Sequence, residues 1–355
     1  MNKSKTISSD AKKAASELTI LVPAYNEGES VRDTILSLQN QTTPPKQIIV
    51  IDDGSTDNTG EVARKAGATV IRPEKNTGTK AGAQNYALKQ VETEFTMAID
   101  ADTTIAKDGV EKLLLAITED KKIAAACGSV IPRHKNTIWE RGRYIEYLLA
   151  FTFYKPIQNY FNKPLISSGC FSVYRTKLLK DAGGWNTRTM AEDMDLTWTF
   201  YSKGLKVKFV NDAVSYPIEP NNFDFMRKQL KRWSHGFMQN VILHKEDVVK
   251  IPYLGAIVSV GLWDAVVASL TYLIAAPLLM IALKNPVFLI LYIIDAPAIF
   301  VPVVWKAIER KEFFVALLSF PSFFILRFVN CLFILEAFWS EIILRQPLTV
   351  YEKGH

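Results

Sequence analysis

The chain has 355 residues, 48% of them hydrophobic, and a formal net charge of +6. With no long basic tract and no zinc-type cysteine spacing, it lacks the usual support for nucleic-acid binding. Its three widely spaced cysteines, Cys127, Cys170 and Cys331, argue against a disulfide framework and for reduced thiols in the cytosol or a membrane.

Residues 1–18 are polar and rich in Lys, Ser and Ala, with no apolar stretch of the signal-peptide kind; a disordered tail is expected there. Residues 18–22 read as a short apolar strand broken by Pro23, and residues 30–39 as a helix with Val31, Ile35 and Leu38 on one face. A second buried strand, 47–51, runs into Asp52-Asp53-Gly54. Residues 59–66 are expected to be helical, Thr69–Ile71 a third strand, 80–91 a helix and Phe95–Ile99 a fourth strand. This alternation predicts an α/β fold with a mostly parallel sheet covered on both faces.

The fourth strand ends directly in Asp100-Ala101-Asp102. Two carboxylates one residue apart cannot both enter a core without a large desolvation cost. At a strand C-terminus they can share a hard divalent cation, or they can be turn residues with Asp102 capping the next helix. The first strand empties into Pro23-Ala24-Tyr25-Asn26-Glu27 and the second into Asp52-Asp53, so three polar clusters converge on one edge of a parallel sheet. That convergence favours a nucleotide-sized site. Neither a P-loop nor a dinucleotide-type glycine fingerprint is present, which removes the usual support for those readings.

From about residue 251 the chain is strongly apolar, with three membrane candidates at 254–283, 286–305 and 313–335. Asp295 and Arg327 lie inside the second and third; such charges usually face protein or water. Lys306, Arg310 and Lys311 outnumber Lys284 in the connecting stretches, which places the preceding domain on the cytoplasmic side. Three crossings would leave the C-terminus outside, and a re-entrant segment would reverse that. Arg227, Lys228, Lys231 and Arg232 suit a surface of anionic lipid.

Further motifs follow in order: Ile166-Ser167-Ser168-Gly169-Cys170, Gly183-Gly184-Trp185, Ala191-Glu192-Asp193-Met194-Asp195, and Gln229-Leu230-Lys231-Arg232-Trp233. Singly they are weak. As an ordered set from Pro23 to Gln239 the chain resembles the inverting, membrane-bound glycosyltransferases of family 2, which include cellulose, chitin, hyaluronan and poly-N-acetylglucosamine synthases.

The resemblance implies a GT-A-like nucleotide-sugar-binding domain over 19–215. Interfacial helices with Q-x-x-R-W would follow over 216–250, then a transmembrane helical region of about three segments over 251–345, and a tail over 346–355. Ala24, Tyr25, Glu27, Asp52, Asp53, Lys80, Asp100 and Arg232 would bind a UDP-sugar donor. Asp102, favoured as the direct ligand, and Asp100 would hold Mg²⁺ or Mn²⁺. Asp193 would be the general base, with Gln229, Trp233 and Glu192 on the acceptor side. Glu192 and Asp195 equally fit a pair of helix N-terminal acids, and Lys80 on its own reads as a solvated residue at a helix N-terminus. Cys170 and Trp185 fit an acceptor pocket or ordinary core equally well.

The implied activity is transfer of a hexosyl or N-acetylhexosaminyl unit, with inversion to a β-linkage, to a glycan or lipid-linked acceptor at the inner face of the cell membrane. The apolar region is shorter than in processive synthases, so a homo-oligomer or export partner is expected if a polymer is moved. The alternatives are a polyprenyl-phosphate or glycolipid transferase making a single transfer, and a non-catalytic nucleotide-sugar-binding component of an export assembly. Retention of every catalytic carboxylate speaks against the last.

Overall fold

The computed structural model describes residues 2–350. Residues 351–355, the end of the expected C-terminal tail, lie outside the described residues. In chain order the elements through residue 243 are α1 (Asn2–Ala15), β1 (Leu18–Ala24), α2 (Val31–Gln39), β2 (Gln47–Asp52), α3 (Thr59–Lys65), β3 (Thr69–Ile71) and α4 (Lys80–Leu88). They continue with β4 (Phe95–Ile99), β5 (Thr104–Ile105), α5 (Gly109–Thr118), β6 (Ile123–Val130), α6 (Ile138–Leu149) and α7 (Lys155–Tyr160). Last come β7 (Phe171–Arg175), α8 (Thr176–Asp181), α9 (Glu192–Ser202), β8 (Lys206–Tyr216) and α10 (Phe223–Leu243).

The chain divides into two compact units. The first comprises residues 1–133, 155–188 and 192–218; the second comprises 134–154, 189–191 and 219–355.

The first unit is built on an eight-stranded sheet of order β3-β2-β1-β4-β7-β6-β8-β5. β3, β2, β1 and β4 run parallel, as the alternation of strands and helices predicts. β1, β2 and β4 are almost wholly buried, as expected of strands covered on both faces. Apolar side chains such as Leu18, Ile20, Val50, Phe95 and Met97 enter one continuous core, each contributing about 1.5–3 kcal/mol when fully buried.

β7 is antiparallel to both β4 and β6. Phe171 pairs with Ile99, so the reversed strand begins where β4 ends. This brings the loop before β7 to the edge that carries Asp100.

The N-terminus departs from expectation. Residues 2–15 form α1 rather than a disordered tail, and Ala11, Ala14 and Ala15 are buried on one side of it. Ala14 and Ala15 join the main core. Their spacing of three and four residues aligns them along a helix. Such a stripe of small residues can pack closely while adding little hydrophobicity to the sequence pattern.

In the second unit, two helical runs are long and apolar enough to cross a membrane, Pro252–Leu283 and Phe313–Ile343. A bent pair, Pro286–Tyr292 and Ala296–Glu309, makes a third if its two halves count as one span with a 43° bend. Asp295, at the bend, forms an ion pair with Arg327, and the Tyr272 hydroxyl lies 3.3 Å from the same carboxylate. Asp295 and Arg327 therefore face each other, which offsets the cost of placing either in an apolar segment.

Candidate active site

β1 and β2 are in register with Ala24 opposite Asp52, and the Asp53 amide donates to the Ala24 carbonyl at 2.9 Å. β1 also pairs Leu21 with Ala98 of β4. The three polar clusters are thus the adjacent ends of parallel neighbours. Asn26 takes a left-handed conformation (φ 55°), and its side-chain oxygen accepts from the Thr56 amide at 2.8 Å. Asparagine tolerates that region better than most residues. Tyr25 is half-buried in this turn; the Glu27 carboxylate accepts from the Ser30 hydroxyl at 2.8 Å.

Asp52 and Asp53 are both buried and both engaged by their own chain. Asp52 accepts from the Ser55 amide and from Arg72 Nη1, each at 2.9 Å. Asp53 accepts from the Thr77 amide and hydroxyl, each at 2.8 Å. Asp53 therefore pins the loop that leads into Lys80. Arg72 was not singled out by sequence reasoning, since an isolated arginine carries no spacing signal.

Lys80 begins α4, whose N-cap Thr79 accepts from the Gly82 amide. Its side chain is only 17% exposed and forms an ion pair with Asp100. It also donates to the Gly169 carbonyl at 3.1 Å. Burial pushes the ammonium's pKa down, but the carboxylates of Asp100 and Glu192 outweigh this and move it well above its ordinary value. A solvated helix residue would show none of this. Asp102 is half-buried, and its Oδ1 accepts from the Thr103 hydroxyl at 3.0 Å. Arg133, also missed by the sequence reading, donates to the Asp102 carbonyl at 2.7 Å.

Among the described residues no group of three or more His, Cys, Asp or Glu side chains is arranged to hold a metal ion. Asp100 and Asp102 offer hard oxygen donors from one turn. That donor set fits Mg²⁺ or Mn²⁺ where substrate oxygens complete the coordination.

Asp193 lies in the first turn of α9, among Glu192 and Asp195. Its Oδ2 accepts from the Gly169 amide at 2.8 Å and its Oδ1 from the Met194 amide at 2.9 Å. A side chain at position 169 would place its Cβ 3.0 Å from Asp193 Oδ2, so any residue but glycine would press the carboxylate aside by a few tenths of an ångström. Asp195 is fully buried in a bidentate pair with Arg188, at 2.8 Å for each contact, which marks it as a structural acid. Trp185 is buried against Tyr174 (ring centroids 5.5 Å apart) as part of the core, while Cys170 is half-buried.

The first unit thus brings together Lys80, Asp100, Glu192, Asp193 and the Gly169 loop. Gln229, Arg232 and Trp233 belong to α10 in the second unit. Gln229 accepts from Arg143 Nη2 at 2.7 Å, Arg232 is half-buried, and Trp233 is 36% exposed. Further along α10, Gln239 accepts from the Met190 amide at 2.8 Å and Asn240 donates to the Ala191 carbonyl at 3.2 Å. All three cysteines are free thiols.

A mostly parallel sheet with acidic and basic side chains gathered at its strand ends is a GT-A-like fold. The same fold occurs in a mannosyltransferase from Pyrobaculum calidifontis solved in complex with GDP-Man and Mn²⁺. That likeness has a TM-score of 0.60 at 18% identity and covers 93% of this chain and 88% of that one. Residues 19–183 match the family described as Glycosyl transferase family 2. Similar curated proteins include the poly-beta-1,6-N-acetyl-D-glucosamine synthases of Staphylococcus epidermidis and Staphylococcus aureus. These are 31% and 29% identical over 223 residues, 62% of this chain and 54% of each relative. The chain therefore spans about half the length of the curated relatives it matches.

Proposed function

We propose that the protein is a membrane-bound inverting glycosyltransferase that moves an N-acetylhexosaminyl or hexosyl unit from a UDP-sugar to a glycan acceptor, forming a β-linkage. The observation that carries this reading is the Asp193 carboxylate, oriented by two backbone amides in the unit that also holds Lys80 and Asp100. A carboxylate offers about four lone-pair sites, so two amide bonds leave Asp193 able to take a proton. An inverting transfer needs such a base to accept the proton of the attacking hydroxyl on the face opposite the leaving group.

In this reading the turn at Ala24, Tyr25 and Glu27, together with Asp52 and Asp53, forms the nucleotide pocket. Asp52 and Asp53 act largely by holding their loops in shape. Lys80 and Arg232 set positive charge against the diphosphate. Asp102, with Asp100 beside it, would hold Mg²⁺ or Mn²⁺, which when bound supplies charge to a departing diphosphate. Trp233 offers an aromatic face to an acceptor sugar, Gln229 a polar contact, and Glu192 flanks the base.

The names of the staphylococcal relatives favour N-acetylglucosamine as the sugar and a polymer as the product. The division into a catalytic domain over 19–215, interfacial helices over 216–250 and a multi-pass membrane region over 251–345 belongs to the same proposal. So does a cytoplasmic catalytic domain, supported by Lys306, Arg310 and Lys311 near one end of the apolar helices. A homo-oligomer or export partner is proposed where a long product must be moved.

The test is a screen of labelled UDP-sugars with purified protein in detergent and a divalent metal, with products read by mass. Consumption of UDP-N-acetylglucosamine with a β-linked glycan product is expected. A lipid-linked monosaccharide would replace the acceptor assignment, and the absence of any product from all donors would overturn the enzymatic one.

Gly169→Ala is expected to lower turnover roughly ten- to a hundredfold by displacing the Asp193 carboxylate, with UDP affinity unchanged. Initial rates beside calorimetric UDP titration check this. Normal turnover in that variant would show that the Gly169 amide does not position the base.

A further inference from the structure

We propose that Arg143 is a positioning residue for acceptor binding, holding in place the two Q-x-x-R-W side chains that meet the acceptor sugar. The inference rests on the reading of Gln229 and Trp233 as acceptor residues and adds a part that the motif itself does not contain.

Arg143 sits on α6, whose start is set by a capping box between Thr137 and Glu140. Its side chain is completely buried, an expensive place for a guanidinium unless its donors and charge are met. Nη1 pairs with Glu146 one turn along the helix. Nη2 donates to Gln229 Oε1 at 2.7 Å and contacts the Met226 sulfur at 3.4 Å. The guanidinium carbon lies 4.5 Å from the centre of the Trp233 ring and 5.8 Å from that of Tyr147.

Glu219 stands 3.7 Å from Nε, and its other oxygen accepts from the Tyr147 hydroxyl at 2.8 Å. Burial pushes the Glu219 carboxyl up, against the pull of Arg143 and Tyr147.

Gln229 and Trp233 are four residues apart on α10, so they share a face. One planar cation can therefore hydrogen-bond the first and lie against the second. The indole is braced by the guanidinium while the residue keeps 36% of its surface exposed. A ring held in this way presents a face of fixed orientation to a sugar and loses little side-chain freedom on binding. Lysine cannot replace this function, because its ammonium has no plane to stack and no fork to reach the amide.

The test compares Arg143→Lys and Trp233→Ala, using a short β-1,6-linked N-acetylglucosamine oligosaccharide as acceptor and UDP-N-acetylglucosamine as donor. Arg143→Lys is expected to raise the acceptor KM roughly tenfold. UDP affinity and the slow hydrolysis of donor without acceptor should be unchanged. The double variant is expected to be little worse than Trp233→Ala alone, because the arginine acts through the indole.

A merely structural role would lower the active fraction, reducing donor hydrolysis and transfer together with no change in acceptor KM; that result overturns the proposal. A raised acceptor KM for Trp233→Ala beside an unchanged one for Arg143→Lys also overturns it and leaves the acceptor reading intact. An unchanged acceptor KM for Trp233→Ala overturns the acceptor reading itself. Should the lysine variant fail to fold, Arg143→Met carries the same comparison, since a buried Glu219 can take up a proton once its cation is gone.

Discussion

Replacing Asp193 with asparagine is expected to lower sugar transfer by at least about a thousandfold while UDP binds almost as before. The amide cannot accept the proton of an incoming hydroxyl, and it also disturbs the local hydrogen bonding. Asp193 receives amides from both Gly169 and Met194. Asparagine can offer an oxygen to only one of them, so the other loses its partner at a cost of about 1–3 kcal/mol if it stays dry. Part of the loss could then come from a shifted loop. Asp193→Ala removes the base and leaves both amides to water, without turning a donor toward either. Both variants should be inactive in transfer, with UDP affinity within a few-fold of wild type by calorimetry. Full transfer in either would end the assignment of Asp193 as the base.

The second large effect is expected at Asp102. Asp102→Asn should weaken metal-dependent UDP binding roughly ten- to a hundredfold and raise the metal concentration needed for half-maximal rate. Asp100→Asn is a poorer probe of the same idea. Asp100 is the ion-pair partner of a largely buried Lys80, and removing it leaves that ammonium short of a counter-charge. Its thermal midpoint should fall along with its activity, whereas Asp102→Asn should keep a near-native midpoint. A metal titration of UDP affinity decides the matter, and an unchanged metal requirement in Asp102→Asn would remove it from the ligand set.

Much of this arrangement was legible in the residues, and the exceptions have physical causes. The strand read at residues 47–51 is β2, Gln47–Asp52, and the run Phe95–Ile99 is β4 to the residue. Both are short, mostly apolar and run straight into carboxylates, a pattern with few alternative explanations. β6 was not read. Its sequence, Ile-Ala-Ala-Ala-Cys-Gly-Ser-Val, is small and unpatterned, and only its neighbours make it a buried strand. The reversed direction of β7 was equally hidden, because the sense of a strand depends on pairing between distant segments. The alanine face of α1 was masked by lysines and serines around it.

The candidate site divides along the same line. Carboxylates, Lys80 and the Q-x-x-R-W residues stand in short motifs at characteristic places in the chain. Two of their supports do not. Arg72 is 20 residues from Asp52 and Arg143 is 86 from Gln229, and nothing local distinguishes these from any other arginine. Gly169 stands in the Ser168-Gly169-Cys170 motif, but its tie to Asp193, 24 residues on, is made only by the fold. Their importance comes from which side chains the fold sets beside them.

The pairing of Lys80 with Asp100 carries a thermodynamic consequence for the order in which ligands load. With the ammonium in place, the Asp100 charge is already neutralised, so a divalent cation arriving alone must compete with a tethered one. A nucleoside diphosphate changes that balance, because it gives Lys80 another anion and gives the cation additional oxygens. On the proposed reading each ligand thus raises the affinity for the other, and by linkage it does so by the same factor. The tethered lysine acts as a surrogate counter-ion, keeping the acidic turn folded and quiet between turnovers and favouring metal uptake as the sugar nucleotide arrives.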